Sequence, residues 1–335
     1  REKLKAICFQ RDDRRRHSYI LGQTGTGKSY LMVRMLIQDI YNGDGVCFID
    51  PHGQTAEMIL ERIPPERADD VIYFDAGDFE RPFGLNILES YSEQHKHQIV
   101  NSFIALLIRL FDPHNQGYVG PMMQQAVRNS MLTAMSVEGS TLIEVVRMLQ
   151  DEKWVQEKWL PLIKDELVRR YWVDQVAHTD AKTKSESLGY FVSKFDKFTT
   201  NLAIRNIIGQ SQSSFDFRDV MDQGKILIVN LSKGAIGDEN MSFLGLLLVQ
   251  KLLAAALSRE DVPEEQRRDF FFYADEFQNF ATDEFASILS EARKYRLNLT
   301  LAHQYIGQLP ENIKSAVFGN VGSLFITRCS NEDAQ

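Results

Sequence analysis

The stretch GQTGTGKS (Gly22 to Ser29) fits the pattern G-x-x-x-x-G-K-[ST]. A short apolar run, Tyr19 to Leu21, precedes it, and a helical pattern of apolar residues follows it from Lys28 to Tyr41. A strand, a glycine-rich loop and a helix in this order form the context in which the pattern acts as a phosphate-binding loop. The sequence therefore predicts an α/β fold that binds a nucleotide.

The loop residues divide the work of holding ATP and magnesium. Glycines let the backbone curl so that its N–H groups point at phosphate oxygens, and the following helix N-terminus adds positive potential. We expect Lys28 to reach the β and γ phosphates and Ser29 to bind Mg²⁺. The predicted nucleotide-binding residues are Gly22, Thr24, Gly25, Thr26, Gly27, Lys28, Ser29 and Tyr30.

Further apolar runs recur along the chain, and several are apolar at consecutive positions, as strands covered on both faces must be. The predicted strands are Tyr19 to Leu21, Val46 to Ile49, Val71 to Phe74, Ile226 to Val229, Phe270 to Ala274, Leu299 to Ala302 and Leu324 to Ile326. Helical patterns separate many of them, one of them predicted from Asp283 to Lys294. This alternation predicts an α/β fold with a mostly parallel central sheet.

Residues 92–215 interrupt that rhythm, because they show helical patterning, contain all three tryptophans and offer no convincing strand. We expect residues 1–91 to form the first part of a nucleotide-binding domain, 92–215 an inserted all-α subdomain, and 216–335 the remainder of that domain. The insert contains no phosphate or metal motif, so we expect it to recognise a substrate or partner.

Asp275 and Glu276 end the predicted strand Phe270 to Ala274, at the sheet edge where open α/β folds bind ligands. Asp275 is expected to hold Mg²⁺ directly or through water, and Glu276 to polarise the attacking water. Gln304 follows the next strand and is a candidate sensor of the γ-phosphate. For Asp50 to Gly53, at the same edge, a contribution to the site and a simple turn remain equally open.

Composition and charge restrict the function classes. The net charge of −8 argues against a protein that coats nucleic acid over its whole surface, whereas a local basic channel stays open. For the basic stretch Arg14 to Arg16, a solvated segment and a DNA contact are both open. Three widely spaced cysteines fit a reducing cytoplasmic setting. The apolar run Met241 to Ser258 contains Gln250 and Lys251, which favours a buried helix over a membrane span.

The phosphate-binding loop indicates that the chain binds a nucleoside triphosphate, but it does not indicate which process the hydrolysis drives. No Asn-Lys-x-Asp pattern marks a guanine-binding site, and no pattern marks the acceptor site of a small-molecule kinase. A nucleotide-bound subunit that never turns over conflicts with the intact Glu276. A motor or remodelling ATPase is therefore favoured.

Five segments together resemble the HerA/FtsK superfamily of DNA-pumping ATPases, and within it the type IV secretion coupling proteins. These segments are HSYILGQTGTGKS (His17 to Ser29), FIDPHG (Phe48 to Gly53), FFYADEFQNF (Phe271 to Phe280), EARKYRLNLTLAHQ (Glu291 to Gln304) and GNVGSLFITR (Gly319 to Arg328). The resemblance implies a RecA-like core, a homohexameric ring and ATP-driven movement of DNA through a central channel. It also implies a location in the cytoplasm at the inner face of the membrane, with a relaxase or other secretion proteins as partners and any membrane anchor outside residues 1–335.

Two alternatives stay open beside DNA translocation in conjugation. One is a secretion ATPase that uses the same ring to move or remodel proteins, and the other is a soluble HerA-like translocase that processes DNA. DNA-stimulated ATPase activity distinguishes a DNA motor from a protein-moving one.

Arg293 is a candidate arginine finger acting on ATP in the neighbouring subunit. At about 100° per residue it falls on the flank of a predicted helix that buries Phe285, Ile288, Leu289 and Ala292. The resemblance places such a residue in the segment Glu291 to Tyr295. A solvated arginine paired with Glu291 or Asp283 is the simpler interpretation, and Arg328 is the rival finger.

Overall fold

The computed structural model describes residues 8–114, 116–176, 181–282, 285–286, 289–331 and 333. Within them, seven strands form one sheet in the order β3-β4-β2-β5-β6-β1-β7. The strands are β1 (Ser18–Leu21), β2 (Gly45–Asp50), β3 (Val71–Asp75), β4 (Ile226–Asn230), β5 (Phe270–Ala274), β6 (Leu297–His303) and β7 (Ser323–Ile326). Each predicted apolar run is a strand, and the prediction of an α/β fold with a mostly parallel sheet is confirmed.

Strand burial follows position in the sheet. Every residue of β1, β2, β4, β5 and β6 is buried, because neighbouring strands flank them and apolar groups cover both faces. Strand β7 lies at the edge beside β1, and its residues alternate between half-buried and exposed. The order of the strands places the carboxyl ends of β1, β5 and β6 next to one another.

The described helices alternate with the strands along the chain, and most of the α-helices fall in the interval between β3 and β4. The α-helices are α1 (Arg11–Arg14), α2 (Lys28–Tyr41), α3 (Gln54–Leu60), α4 (Glu93–Phe111), α5 (Pro121–Ala134), α6 (Leu142–Met148), α7 (Glu152–Trp154), α8 (Glu166–Arg170), α9 (Ala181–Thr200), α10 (Leu202–Ile208), α11 (Phe217–Gln223), α12 (Lys233–Ile236), α13 (Asp238–Ser258) and α14 (Glu311–Asn320). Short 3₁₀ helices span Pro65–Asp70, Leu160–Leu162, Arg259–Asp261, Glu264–Gln266, Phe277–Asn279, Ala292–Tyr295 and Ile306–Gln308, and π-helices span Val155–Trp159 and Tyr171–Val176.

The described residues of the chain form two compact units. The first contains residues 1–74, 217–231 and 255–335, and its core forms where α2 and α3 pack on the sheet through residues such as Met32, Leu36, Phe48 and Ile228. The second contains residues 75–216 and 232–254. It is helical, and four phenylalanines pack in its core, Phe103, Phe195, Phe198 and Phe243. The second unit therefore takes in residues on both sides of the predicted insert.

One helical stretch in the described part of the chain, Asp238–Asp261, has the length and composition of a membrane span. Of its most apolar window, 78% is buried inside the fold, as in the core helix of a globular protein. Lys251 on this helix donates to the backbone oxygen of Asn86 at 2.8 Å and pairs with Glu89 at 3.3 Å. Burial lowers the pKa of Lys251, and the carboxylate of Glu89 opposes that shift.

The predicted helix from Asp283 to Lys294 is wrong at its carboxyl end. Ser290 and Glu291 form a turn, and Arg293 lies in the 3₁₀ helix Ala292–Tyr295 that leads into β6. The side chains of Phe285, Leu289 and Ala292 are buried as expected, whereas Asp283 and Ile288 lie outside the described residues. Because the turn breaks the helical period, Arg293 does not lie on the flank of a helix that carries Phe285 and Leu289.

Two of the three consecutive arginines in the basic stretch pair with buried carboxylates, whereas Arg16 is exposed. Arg11 and Arg15 both donate to the carboxylate of Asp269, with distances of 2.8 to 3.1 Å, and Arg11 also pairs with Asp44. Both carboxylates are about 95% buried at the amino ends of β2 and β5. Charge on buried carboxylates requires such partners, because an isolated one loses its hydration without compensation.

Arg14 has the most buried position in this stretch. Its guanidinium pairs with Asp39, donates to the hydroxyl of Tyr273 at 2.7 Å and lies 4.3 Å from the centre of the Phe271 ring. Asp39 is fully buried on α2. Burial raises the pKa of Asp39, and Arg14 opposes that shift. The pair therefore fixes the amino-terminal segment near the amino ends of the strands, whereas the phosphate-binding loop lies at their carboxyl ends.

We expect Arg14→Ala to lower the free energy of unfolding by about 3–5 kcal/mol, because it leaves Asp39 buried without its countercharge. Urea and thermal denaturation measure the loss. Arg16→Ala is the matched control. Because Arg16 is exposed, its substitution should lower the free energy of unfolding by less than about 0.5 kcal/mol. Equal stability of the two variants would show that the Asp39 pair contributes nothing.

Candidate active site

The phosphate-binding loop begins where β1 ends and closes at the first residue of α2. Gly25 and Gly27 adopt φ angles of 78° and 94°, a region that side-chain-bearing residues rarely occupy. Their conformations give the loop the curl that turns backbone N–H groups inward. The geometry is that of an anion cradle at a helix N-terminus.

The loop is fastened to both neighbouring strands. Gly22 N donates to the backbone oxygen of His303 at 3.3 Å, and Gln23 N donates to that of Arg328 at 2.8 Å. A Cβ atom on Gly22 would lie 1.7 Å from Oγ1 of Thr327, so this position admits only glycine unless Thr327 moves. The Thr327 hydroxyl also bonds the Thr26 hydroxyl at 2.7 Å. The first glycine therefore allows the end of β7 to approach the loop closely.

Lys28 and Ser29 lie at the mouth of this curl. Nζ of the buried Lys28 donates to the backbone oxygen of Gln23 at 3.3 Å, which places the ammonium inside the loop. Ser29 Oγ donates to Oδ2 of Asp275 at 2.5 Å. Tyr30, on the first turn of α2, is 58% exposed, so its ring lies at the surface beside the loop.

The Ser29 and Asp275 oxygens fit a magnesium ion. Mg²⁺ prefers oxygen ligands and usually takes one or two from the protein, with phosphates and water completing the set. Among the described residues there is no cluster of three acidic, histidine or cysteine ligands, so no all-protein metal cage is present. Burial raises the pKa of Asp275, the charge of Glu276 adds to that rise, and the Ser29 hydrogen bond opposes it. A bound Mg²⁺ would neutralise phosphate charge at this position.

Glu276 turns the chain at the end of β5. Its φ of 47° is left-handed, a strained conformation for a residue with a side chain and one that clusters at functional sites. Its carboxylate accepts two amide hydrogen bonds, from Gln304 Nε2 at 2.9 Å to Oε1 and from Gln278 Nε2 at 2.6 Å to Oε2. The predicted sensor and the predicted base are therefore in direct contact.

His303 joins the end of β6 to β1. It is fully buried, and its imidazole bonds the hydroxyl of Tyr19 at 2.9 Å from Nδ1. Burial lowers the pKa of His303 to about 4, so the ring is neutral at physiological pH. Because its backbone oxygen accepts from Gly22, His303 fixes Gln304 relative to the loop.

The two arginine candidates lie at opposite edges of the sheet. Arg328 is exposed, and its backbone oxygen bonds the loop at Gln23. Arg293 is exposed near the amino end of β6. Burial lowers the pKa of the nearby His17 to about 4, and the charge of Arg293 adds to that shift. Since β6 has seven residues, about 20 Å separates these edges. Arg293 is therefore out of reach of the loop in its own chain, and none of the described ion pairs involves it.

Sequence reasoning missed two contributors to the site, Gln278 and Thr327. The sequence does place Gln278 two residues after Glu276, close enough for their side chains to form a hydrogen bond. No sequence pattern connects Thr327 to Gly22. At the neighbouring edge position, Asp50 accepts from the backbone N–H groups of His52, Thr55 and Ala56 at 2.8 to 2.9 Å. Asp50 thus forms a turn and caps α3, which is the structural one of the two alternatives.

A parallel sheet with this loop and an acidic pair at its carboxyl edge defines a P-loop nucleoside triphosphatase of the RecA-like α/β class. Residues 6–251 match the family model described as "Helicase HerA, central domain", which covers more than half of the chain. The chain belongs to this family, and the resemblance to the HerA/FtsK superfamily is confirmed.

Individual relatives are more distant. The chain is 22% identical to the type 4 coupling protein DotL of Legionella pneumophila over 89% of its own length and 45% of DotL, so it spans less than half of that relative. Its fold is similar to the bacterial conjugative coupling protein TrwBdeltaN70 in the unbound monoclinic form, with TM-score 0.63, 19% identity and coverage of 100% and 75% of the two chains. VirB4 of Thermoanaerobacter pseudethanolicus gives TM-score 0.62 and 13% identity, with 95% and 78% covered.

Proposed function

We propose that this chain is an ATP-hydrolysing motor that translocates DNA, as a hexameric coupling ATPase of a type IV secretion or conjugation system. The observation that supports it is the convergence of Lys28, Ser29, Asp275, Glu276 and Gln304 at one edge of the sheet. The family membership and the conjugative coupling protein among its structural relatives agree with this assignment. The motor acts in the cytoplasm, at the inner face of the membrane, where a relaxase or another secretion protein delivers its substrate.

ATP and Mg²⁺ are the proposed ligands. TrwB has been solved with ADP and Mg²⁺ and with a non-hydrolysable ATP analogue, and its fold is similar to that of this chain. In the proposed reaction Lys28 binds the γ-phosphate, Ser29 and Asp275 hold Mg²⁺, and Glu276 orients and deprotonates the attacking water. While the γ-phosphate is present, Gln304 donates to one of its oxygens, and this bond competes with the bond from Gln304 to Glu276.

A second candidate moves protein substrates with the same ring. The net charge of −8 favours it, because an acidic surface repels the DNA backbone at long range. A soluble HerA-like DNA-processing translocase is the third form of the same motor, distinguished by the absence of a secretion partner.

We expect DNA to stimulate ATP turnover several-fold, and the stimulation to fall as salt rises because binding releases counterions from phosphates. The measurement compares turnover alone, with double-stranded DNA and with single-stranded DNA at two ionic strengths. Lys28→Ala serves as the control for contaminating ATPases. If neither DNA changes turnover at low salt but a secretion partner does, the result contradicts DNA translocation and supports the movement of protein substrates.

A further inference from the structure

Two amide side chains from different elements hold the Glu276 carboxylate. Gln304 lies at the end of β6 and donates to Oε1, whereas Gln278 lies on the turn after β5 and donates to Oε2. We infer that Gln278 is a positioning residue that keeps the Glu276 carboxylate aimed at the attacking water throughout the ATPase cycle. This inference rests on the proposed hydrolysis at this site.

The backbone around Gln278 leaves its side chain little choice of direction. Glu276 reverses the chain through its left-handed conformation, and the 3₁₀ helix Phe277–Asn279 follows immediately. Phe277 and Phe280, on either side of the turn, are fully buried, and Asn279 N donates to the backbone oxygen of Glu276 at 3.0 Å. With both phenylalanines anchored in the core, Gln278 is held two residues from Glu276 with its amide on the carboxylate.

The two amides differ in what they can do during turnover. Gln304 sits beside the expected γ-phosphate, and because its amide nitrogen has two N–H donors, it can turn one or both of them from Glu276 to a phosphate oxygen. Gln278 lies on the turn that carries Glu276 itself, so its bond moves with the carboxylate. Each carboxylate oxygen has two lone pairs, so one amide bond per oxygen leaves another lone pair to accept the proton from water.

Gln278 therefore acts on the chemical step and not on ATP binding. A half-buried glutamate has several side-chain rotamers, and an orienting bond selects the productive one. Misplacement of a catalytic group by about 1 Å costs about 100-fold in rate. Loss of an interaction that contributes only in the transition state lowers kcat and leaves KM unchanged.

The first test replaces Gln278 by leucine, which has a similar volume and no amide. We expect kcat for ATP to fall about 10- to 100-fold, with KM and nucleotide affinity unchanged. Asn279→Leu is the matched control, because it removes an amide one residue further along the same turn. Wild-type kcat in Gln278→Leu, or an equal loss in both variants, overturns the inference.

The second test is a double-mutant cycle with Glu276→Ala, measured as single-turnover hydrolysis. If Gln278 works through Glu276, the double variant hydrolyses ATP at the rate of Glu276→Ala alone. If Gln278 has only a structural role, the fold losses in rate of the two single variants multiply in the double variant. An additive cycle therefore overturns the positioning role even if Gln278→Leu is slow.

A third measurement separates this inference from the proposed function. The same four proteins are melted without nucleotide, and the shifts in Tm should not add, because each single change removes the same contact. If the wild type shows no ATP turnover, the proposed function fails, and the melting cycle still decides whether the contact exists. Additive Tm shifts overturn the contact whatever the turnover.

Discussion

ATP turnover by Glu276→Gln should fall by about 10²- to 10⁴-fold, while its affinity for ATP stays close to that of the wild type. The amide keeps the shape of the side chain and can still bond Gln278 and Gln304 after an amide flip. It cannot take a proton from water. Steady-state turnover and binding of a labelled non-hydrolysable analogue measure the two quantities separately.

The matched control is Glu265→Gln, which makes the same change of charge and shape. Glu265 is exposed in the 3₁₀ helix that precedes β5, at the edge of the sheet opposite the loop. Its turnover should equal that of the wild type. If Glu276→Gln lost ATP binding as severely as turnover, Glu276 would have to be a ligand of the nucleotide or metal.

Arg293→Ala should lower turnover by about 10³-fold or more if Arg293 reaches the ATP of a neighbouring subunit. A guanidinium matches the charge that develops on the transferred phosphoryl group in a two-pronged arrangement. The exposed position of Arg293 at the amino edge of β6 makes action on its own ATP impossible, so the effect must pass between subunits. Turnover of the purified variant, compared with that of the wild type, measures the effect.

Mixing experiments test whether this action occurs between subunits. Arg293→Ala and Lys28→Ala subunits are each expected to be inactive, yet in the proposed ring a mixture contains interfaces where an intact loop meets an intact arginine. Activity should therefore reappear at intermediate ratios. Normal turnover of Arg293→Ala removes the finger assignment, and mixed rings that assemble and stay inactive at every ratio exclude action between subunits.

Arg328→Ala provides the contrast. The backbone of Arg328 contacts the loop of its own chain and its side chain is exposed, so it is the candidate for action on that chain's ATP. If Arg328 acts within its own subunit, mixing Arg328→Ala with Lys28→Ala rescues nothing, because every subunit lacks one half of its own site. The two mixing curves thus distinguish the rival arginines.

The strands of the sheet were predictable because each one is marked by the apolar composition of its own few residues. Runs such as Ile226 to Val229 are apolar at every position, and only strands buried on both faces need that composition. The phosphate-binding loop was predictable for the same reason, since its glycines and Lys28 are adjacent in the chain. The carboxyl edge of parallel strands then places Asp275 and Gln304 near the loop without further information.

What the sequence did not reveal depends on contacts between distant residues. The run Arg14 to Arg16 looks like any solvated basic segment, and only the fold brings the buried Asp39 and Asp269 beside two of its arginines. The helical period around Arg293 was misleading because a turn at Ser290 and Glu291 interrupts it. In both cases tertiary structure overrides a correct local pattern.

The closeness of Gly22 and Thr327 has a consequence for how this chain can change in evolution. A side chain at position 22 would clash with the hydroxyl of Thr327, so the requirement for glycine comes partly from the segment that follows the edge strand. Replacement of Thr327 by a smaller residue removes that obstacle. Substitutions at the two positions are therefore expected to be coupled. A change at position 22 is tolerated only after Thr327 has been replaced, so the order of the mutations matters.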